Sequence, residues 1–409
     1  MILKIEFENF FSIREQVRID FRAANINTTL ARELGHNLME WKGVPVLKSV
    51  GLFGPNASGK TNILKAINFC CRLILDSHQF NEGAIFSFEP FKFDGWQDKP
   101  SKFLIDFVCD NVEYEYSFEL TRSKVLRESL YHYPVGRRAK IFVRNADGKY
   151  SFGTGVINKP MDVALNTSDK NLFLGRASSM NREIAQKLYR YFMNQFLLGL
   201  TNINEMIVLD NFNTYKRVIL KALEICDIDI TDIKARKEQI PAPVAIPGQG
   251  DLSFQLVDVL KFKTYHRNNK DVMFDLDLEE SSGTRKLFQI LIRLLDVVKN
   301  RKSIMMDEFD LGLHTRLADF ILDLIHASEG SQLLFSSHNT NLIDVKRLRR
   351  DQIVFVNKSE DGATEVYSLY DFKDFRENMD AEKGYIQGRF DAVPYVDSSV
   401  DSIKHLLEE

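Results

Sequence analysis

Gly54-Pro55-Asn56-Ala57-Ser58-Gly59-Lys60-Thr61 sets two glycines ahead of a lysine and a hydroxyl residue. That spacing suits a chain of phosphates. Gly54 and Gly59 let backbone N–H groups turn inward with no side chain in the way. The Lys60 ammonium is placed for the β- and γ-phosphates and the Thr61 hydroxyl for Mg²⁺. A second group lies far along the chain, where the apolar run Ser303 to Met306 ends in Asp307-Glu308. A carboxylate at a strand end beside Thr61 suits Mg²⁺ held through water, which is the role expected of Asp307. Glu308 is then placed to polarise a water aimed at the γ-phosphate.

These groups need a strand before each and a helix after the first. Val46 to Phe53 reads as one buried strand and Lys60 to Asp76 as a helix with Ile63, Leu64, Ile67, Cys70 and Cys71 on one face. Ile2 to Phe7 and Gln16 to Phe21 alternate as a hairpin around Asn9 to Arg14, and residues 22–45 read as a loop. Phe103 to Val108, Val112 to Leu120, Leu126 to Tyr133 and Ala139 to Val143 form an antiparallel meander, with turns at Asp110-Asn111 and Asp147-Gly148. Arg182 to Leu200 and Tyr215 to Cys226 read as helices, and Pro241 to Gly250 as a flexible loop. Val257 to His266 and Val272 to Leu278 read as strands. Helices at Thr284 to Val298 and Thr315 to Ser328 then alternate with strands at Ser303 to Met306, Gln332 to Phe335 and Ile353 to Val356. That alternation predicts an α/β fold with a parallel sheet.

The chain has 409 residues, 44% hydrophobic and 27% charged, with a net charge of −3. It can build a core, and its length predicts more than one lobe. The near-neutral charge argues against coating nucleic acid by bulk electrostatics. No apolar run reaches the roughly 20 residues of a membrane span. Cys70, Cys71, Cys109 and Cys226 have neither disulfide-framework nor metal-ligand spacing, so a reduced, cytoplasmic protein is expected.

Asp307-Glu308 continues as Phe309-Asp310-Leu311-Gly312-Leu313-His314, which resembles the D-loop of the ABC-type ATPases. Glu280-Ser281-Ser282-Gly283-Thr284-Arg285 resembles their signature motif, and Leu333-Leu334-Phe335-Ser336-Ser337-His338 their switch-histidine strand. The motif order is that of the RecF and SMC heads. The Ser-Ser-Gly-Thr-Arg signature, Leu313-His314, Gln352 to Lys358 and Gly384 to Pro394 narrow the resemblance. It is to the OLD-like ATPases of prokaryotic phage defence, which include the PARIS ATPase subunit AriA and the RloA and AbiL ATPases.

This resemblance implies an ABC-ATPase head with an antiparallel β lobe and a short helical insertion. The implied divisions are an N-terminal lobe (1–170), the insertion (171–240) and a C-terminal lobe (241–409). It implies ATP and Mg²⁺ as ligands, and a homodimer or larger ring in which Ser282 and Gly283 touch the γ-phosphate of the other copy. Asp310 would couple the two sites, and His338 would sense the γ-phosphate or else be a buried structural histidine. His314 would join in coupling or simply start a helix. With no nuclease segment after Pro394, a separate effector nuclease and a phage-encoded trigger are implied partners. The alternative is a RecF-like DNA-binding repair protein. Arg137-Arg138-Ala139-Lys140 and Lys346-Arg347-Leu348-Arg349-Arg350 could hold DNA phosphates or be solvated faces. Phe11 stands where many relatives carry a basic residue in the Asn9 to Ser12 turn, leaving Arg14 as the substitute. Gln97 is either the Q-loop glutamine or an exposed loop residue.

Overall fold

A computed structural model describes residues 1–199, 204–245, 252–394, 399, 403, 406 and 407. The chain divides into two units. The first comprises Met1–Leu198, Arg301–Phe309 and Leu322–Glu409, and the second Gly199–Asn300 and Asp310–Ile321.

In the first unit, apolar alternation builds a seven-stranded antiparallel sheet. Its order is Tyr150–Phe152, Ala139–Arg144, Val125–Tyr133, Val112–Leu120, Ser101–Cys109, Ile2–Glu8 and Val17–Asp20. The expected turns are there: Asp110 and Asn111 both take left-handed φ (46° and 62°), as a tight hairpin requires. A second sheet holds the chemistry, in the order Phe196–Leu198, Ser303–Met306, Gln332–Ser337, Ser49–Phe53, Ile353–Lys358 and Thr364–Ser368. All its neighbours pair in parallel except the last two. Strands so placed are covered on both faces, which is why Ser49–Phe53 and Ser303–Met306 are buried throughout. The helix Lys60–Asp76 buries Ile63, Ile67, Cys70, Cys71 and Ile74 in a core shared with both sheets. Phe10 stacks on Phe88 at 5.6 Å, and Phe69 packs on Phe88 at 4.9 Å.

Three expectations change in this unit. Residues 22–45 are not all loop: Thr29–Glu33 is a helix capped by Thr28, and Leu38–Trp41 pairs with Val44–Leu47. The single strand expected from Val46 breaks at Lys48, because Val44–Leu47 belongs to that small hairpin and only Ser49–Phe53 to the parallel sheet. The helix expected to run to Leu200 stops at Asn194, and Phe196–Leu198 pairs with Ser303 to Met305.

The second unit contains helices Glu205–Ile225 and Ser282–Lys299 and a three-stranded sheet. Phe212, Phe262 and Phe288 form its aromatic centre, with ring centroids 4.9–6.1 Å apart. The sheet is dominated by a long ribbon in which Ile230–Ala245 pairs with Leu252–His266. Pro241 to Ala245 is therefore strand and not loop, while residues 246–250 lie outside the described residues. Pro241 and Pro243 lie two apart on an edge strand, so both missing N–H groups fall on the same side of it, and edge strands are where a sheet tolerates proline. Among the described residues, no helix is long and apolar enough to cross a membrane.

Candidate functional site

The phosphate loop leaves the sheet at Phe53 and enters a helix at Lys60. Its two glycines are required by space. A Cβ on Gly54 would lie 2.0 Å from the Val356 carbonyl oxygen on the neighbouring strand. Gly59 has φ +113°, and a Cβ there would lie 2.1 Å from the Thr364 hydroxyl. Ala57 is also left-handed, at φ 60°, so the loop is tightly wound.

Lys60 is 5% exposed, and its ammonium donates to the carbonyls of Gly54 (2.7 Å) and Pro55 (2.9 Å). Burial lowers its pKa to about 8, and the carboxylates of Asp307 and Glu308 oppose that fall. Asn56, Ala57 and Thr61 are exposed, Pro55 is half-buried, and Ser58 is 1% exposed. Among the described residues the Ser58 hydroxyl has no hydrogen-bond partner. A desolvated cation, an orphaned buried hydroxyl and the open N–H groups of a helix start are the donor set a phosphate chain uses.

Asp307 and Glu308 follow the buried strand Ser303–Met306, and Glu308 takes φ 45°. The Ser336 hydroxyl, 0% exposed, accepts from the Glu308 N–H at 2.8 Å and donates to the Asp307 carboxylate. One side chain thereby ties the Glu308 backbone to the Asp307 carboxylate. His338 lies just past the strand Gln332–Ser337, with Nε2 3.8 Å from Glu308 Oε1 and the side chain 41% exposed, so it is not a buried structural histidine. The first unit thus brings Lys60, Asp307, Glu308 and His338 to the C-terminal ends of its parallel strands, where ligands of such sheets lie.

Ser282, Gly283 and Asp310 fall in the second unit. Ser281 caps the helix Ser282–Lys299, its hydroxyl accepting from Thr284 N–H at 3.1 Å, and Ser282 is exposed in the first turn. A Cβ on Gly283 would lie 3.4 Å from the Gly312 carbonyl of the D-loop segment. The carbonyl of Asp310 accepts from Leu313 N–H at 2.9 Å, and His314 starts a helix, its Nδ1 accepting from Arg316 N–H at 3.2 Å.

Other candidates are otherwise engaged. Arg14 is ion-paired with Asp361 and lies 3.4 Å from Glu15, and its hydrogen bond to Asp361 raises its pKa. Gln97 is exposed in a short turn, Trp96–Asp98. Arg138 pairs with Glu115 at 2.5 Å and stacks over Tyr131. Arg349 is 5% exposed and pairs with Asp351 at 3.0 Å, and Arg350 donates to the Phe375 carbonyl. Two residues escaped the sequence reading: Ser336, whose place is set by the parallel pairing of its strand with Ser303–Met306 and Ser49–Phe53, and Thr364. A lone hydroxyl carries no local signal, although Ser336 lies inside a motif already singled out.

No curated protein sequence matches the chain. Solved structures of similar fold include the SMC head bound to the C-winged helix domain of ScpA. It is 15% identical, with 90% of this chain and 97% of that chain covered and a TM-score of 0.44. The SMC head domain from Thermotoga maritima is 14% identical, with 90% and 98% covered and a TM-score of 0.41. The profile of one ATPase family matches residues 49–152 and 177–344, well over half of the chain, and takes in both the phosphate loop and the acidic pair. The chain belongs to that family, described as "AAA domain, putative AbiEii toxin, Type IV TA system".

Proposed function

We propose that the chain binds ATP at Gly54 to Thr61 and hydrolyses it, and that it acts as the sensor and scaffold of an antiphage system holding a separate toxic effector. The observation that carries the ATPase reading is the meeting of desolvated Lys60, the orphaned Ser58 hydroxyl and the Asp307–Glu308–His338 group in one unit. Family membership supports the same chemistry. Lys60, Gly59 and Ser58 bind the phosphates. Thr61 and Asp307 would hold Mg²⁺, which when bound would supply charge neutralisation on the phosphate oxygens. Glu308 accepts the proton of the attacking water, and His338, beside it, orients that water or the γ-phosphate. Ser282 and Gly283 close the site from a second copy, and Asp310 couples the two.

Turnover by purified protein tests this. Lys60→Ala is expected to weaken ATP binding. Glu308→Gln is expected to retain ATP and slow hydrolysis by about 10²–10⁴-fold. Unchanged turnover in Glu308→Gln would remove the general base from this position.

The family's abortive-infection description and the OLD-like motif set support the defence role. Native mass of the chain expressed with its genomic neighbours, with ATP and Mg²⁺, is expected to reveal a homo-oligomer carrying a second polypeptide, expected to be a Toprim-like nuclease. A bare dimer with steeply salt-dependent DNA affinity would instead favour the RecF-like clamp. The engagement of Arg138, Arg349 and Arg350 with protein groups weighs against that clamp.

A further inference from the structure

We infer that Thr364, with Ser12 behind it, is a positioning residue that aims the Gly59 N–H at the nucleotide's phosphates. The inference rests on the nucleotide reading of the loop.

The argument is one of proton counting. The Thr364 hydroxyl donates to the Ser58 carbonyl at 3.0 Å, and a carbonyl can only accept. Thr364 has one hydroxyl proton, so at its 2.7 Å contact with Ser12 the Ser12 hydroxyl is the donor. The Ser12 oxygen in turn accepts from the Asn62 side-chain amide at 2.7 Å. The chain therefore runs in one direction, from Asn62 through Ser12 and Thr364 to the Ser58 carbonyl, each bond polarising the next. Thr364 is 5% exposed, so water competes little for these groups.

The Ser58–Gly59 peptide is planar and trans, so its C=O and N–H point in opposite directions. Pinning the Ser58 carbonyl on Thr364 turns the Gly59 N–H to the opposite side of the peptide, away from Thr364. The same side chain fills the space a Gly59 Cβ would need, so only glycine fits there, at a left-handed φ of +113°. Thr364 is itself tethered: its N–H donates to the Ser12 carbonyl at 2.7 Å, and Asp361 just before it pairs with Arg14. The turn at Asn9 to Arg14 thus acts on the phosphate loop through Thr364, with Arg14 holding Asp361 and Ser12 holding Thr364 itself.

The test uses the full chain as Thr364→Val, which keeps shape and removes the hydroxyl, and Thr364→Ser, which keeps the hydroxyl. Ser12→Ala tests the link behind them. Hydrogen exchange of the loop amides in nucleotide-free protein reads the brace directly. Calorimetric binding of ATP and of inorganic triphosphate reads its consequence. Thr364→Val is expected to speed loop exchange and to weaken ATP and triphosphate alike by about tenfold, with Ser12→Ala showing about threefold and Thr364→Ser near wild type. KM should rise with kcat little changed, because these donors hold ground state and transition state equally. Loop exchange and ATP affinity unchanged in Thr364→Val would overturn the inference. Wild-type protein that binds no ATP while Thr364 still protects the loop would leave the hydrogen-bond chain standing and overturn its phosphate role, together with the nucleotide reading.

Discussion

Glu308 occupies a backbone region that a glutamate enters only when its surroundings insist, at a cost of roughly 1 kcal/mol. Those surroundings are Ser336, whose hydroxyl accepts from Glu308 N–H and whose carbonyl accepts from Phe309 N–H at 3.3 Å. Ser336 receives the Glu308 N–H and donates to the Asp307 carboxylate, so the Asp307 side chain and the Glu308 backbone are held by a side chain that touches neither phosphate nor water in the proposed reaction. Ser336→Ala should therefore lower kcat about tenfold, the weight of one good hydrogen bond, with ATP affinity held within a factor of two. Steady-state turnover and equilibrium binding measured together would decide it. An unaltered kcat would mean that strand pairing alone aims the pair. The phosphate loop and the acidic pair were legible from spacing because their chemistry demands fixed residue types at fixed intervals. The roles of Ser336 and Thr364 were not, because they depend on contacts across 28 residues or more of sequence.

Among the elements, those with a strong local period matched the sequence reading. The helix Lys60–Asp76 and the strand Ser303–Met306 appear with the bounds expected. The misses are elements defined by partners. Phe196–Leu198 reads as the end of a helix until Ser303 to Met305 offers it a ladder, and Pro241 to Ala245 reads as loop until Leu252 to Leu256 pairs with it. One element end also carries a pH prediction. His326 closes the helix Thr315–His326, and its Nε2 lies 2.8 Å from the Ser49 hydroxyl at the root of the phosphate-loop strand. Burial, then the charges of His36, Lys48 and Arg347, pushes its pKa down to about 3. The folded chain therefore keeps His326 neutral where the unfolded chain protonates it. Its contribution to stability is complete above about pH 6.5 and is lost as pH falls toward 3. Thermal melts between pH 7 and 4 should steepen in the native chain and flatten in His326→Gln. Parallel curves would show that other groups carry the acid sensitivity.

For the whole molecule, the residues read as nucleotide contacts fall in two units, with the signature Ser282-Gly283 in one and Lys60, Asp307 and Glu308 in the other. A site completed by a second copy makes a sharp prediction. Lys60→Ala and Ser282→Arg proteins should each be inactive alone. Mixed and allowed to exchange, they should recover about a quarter of native turnover, since half the dimers are mixed and each keeps one intact site. No recovery on exchange would argue for sites completed within one chain. The parallel sheet has a different consequence, in time. Its strands come from residues 49–53, 196–198, 303–306, 332–337 and 353–358, and the prop for Gly59 arrives only with Thr364. At ribosomal speeds the loop waits roughly 15–60 s between its own synthesis and that of the side chain that shapes it. A nascent or prematurely terminated chain therefore carries the phosphate motif in full before the later strands and the Thr364 side chain that shape it exist.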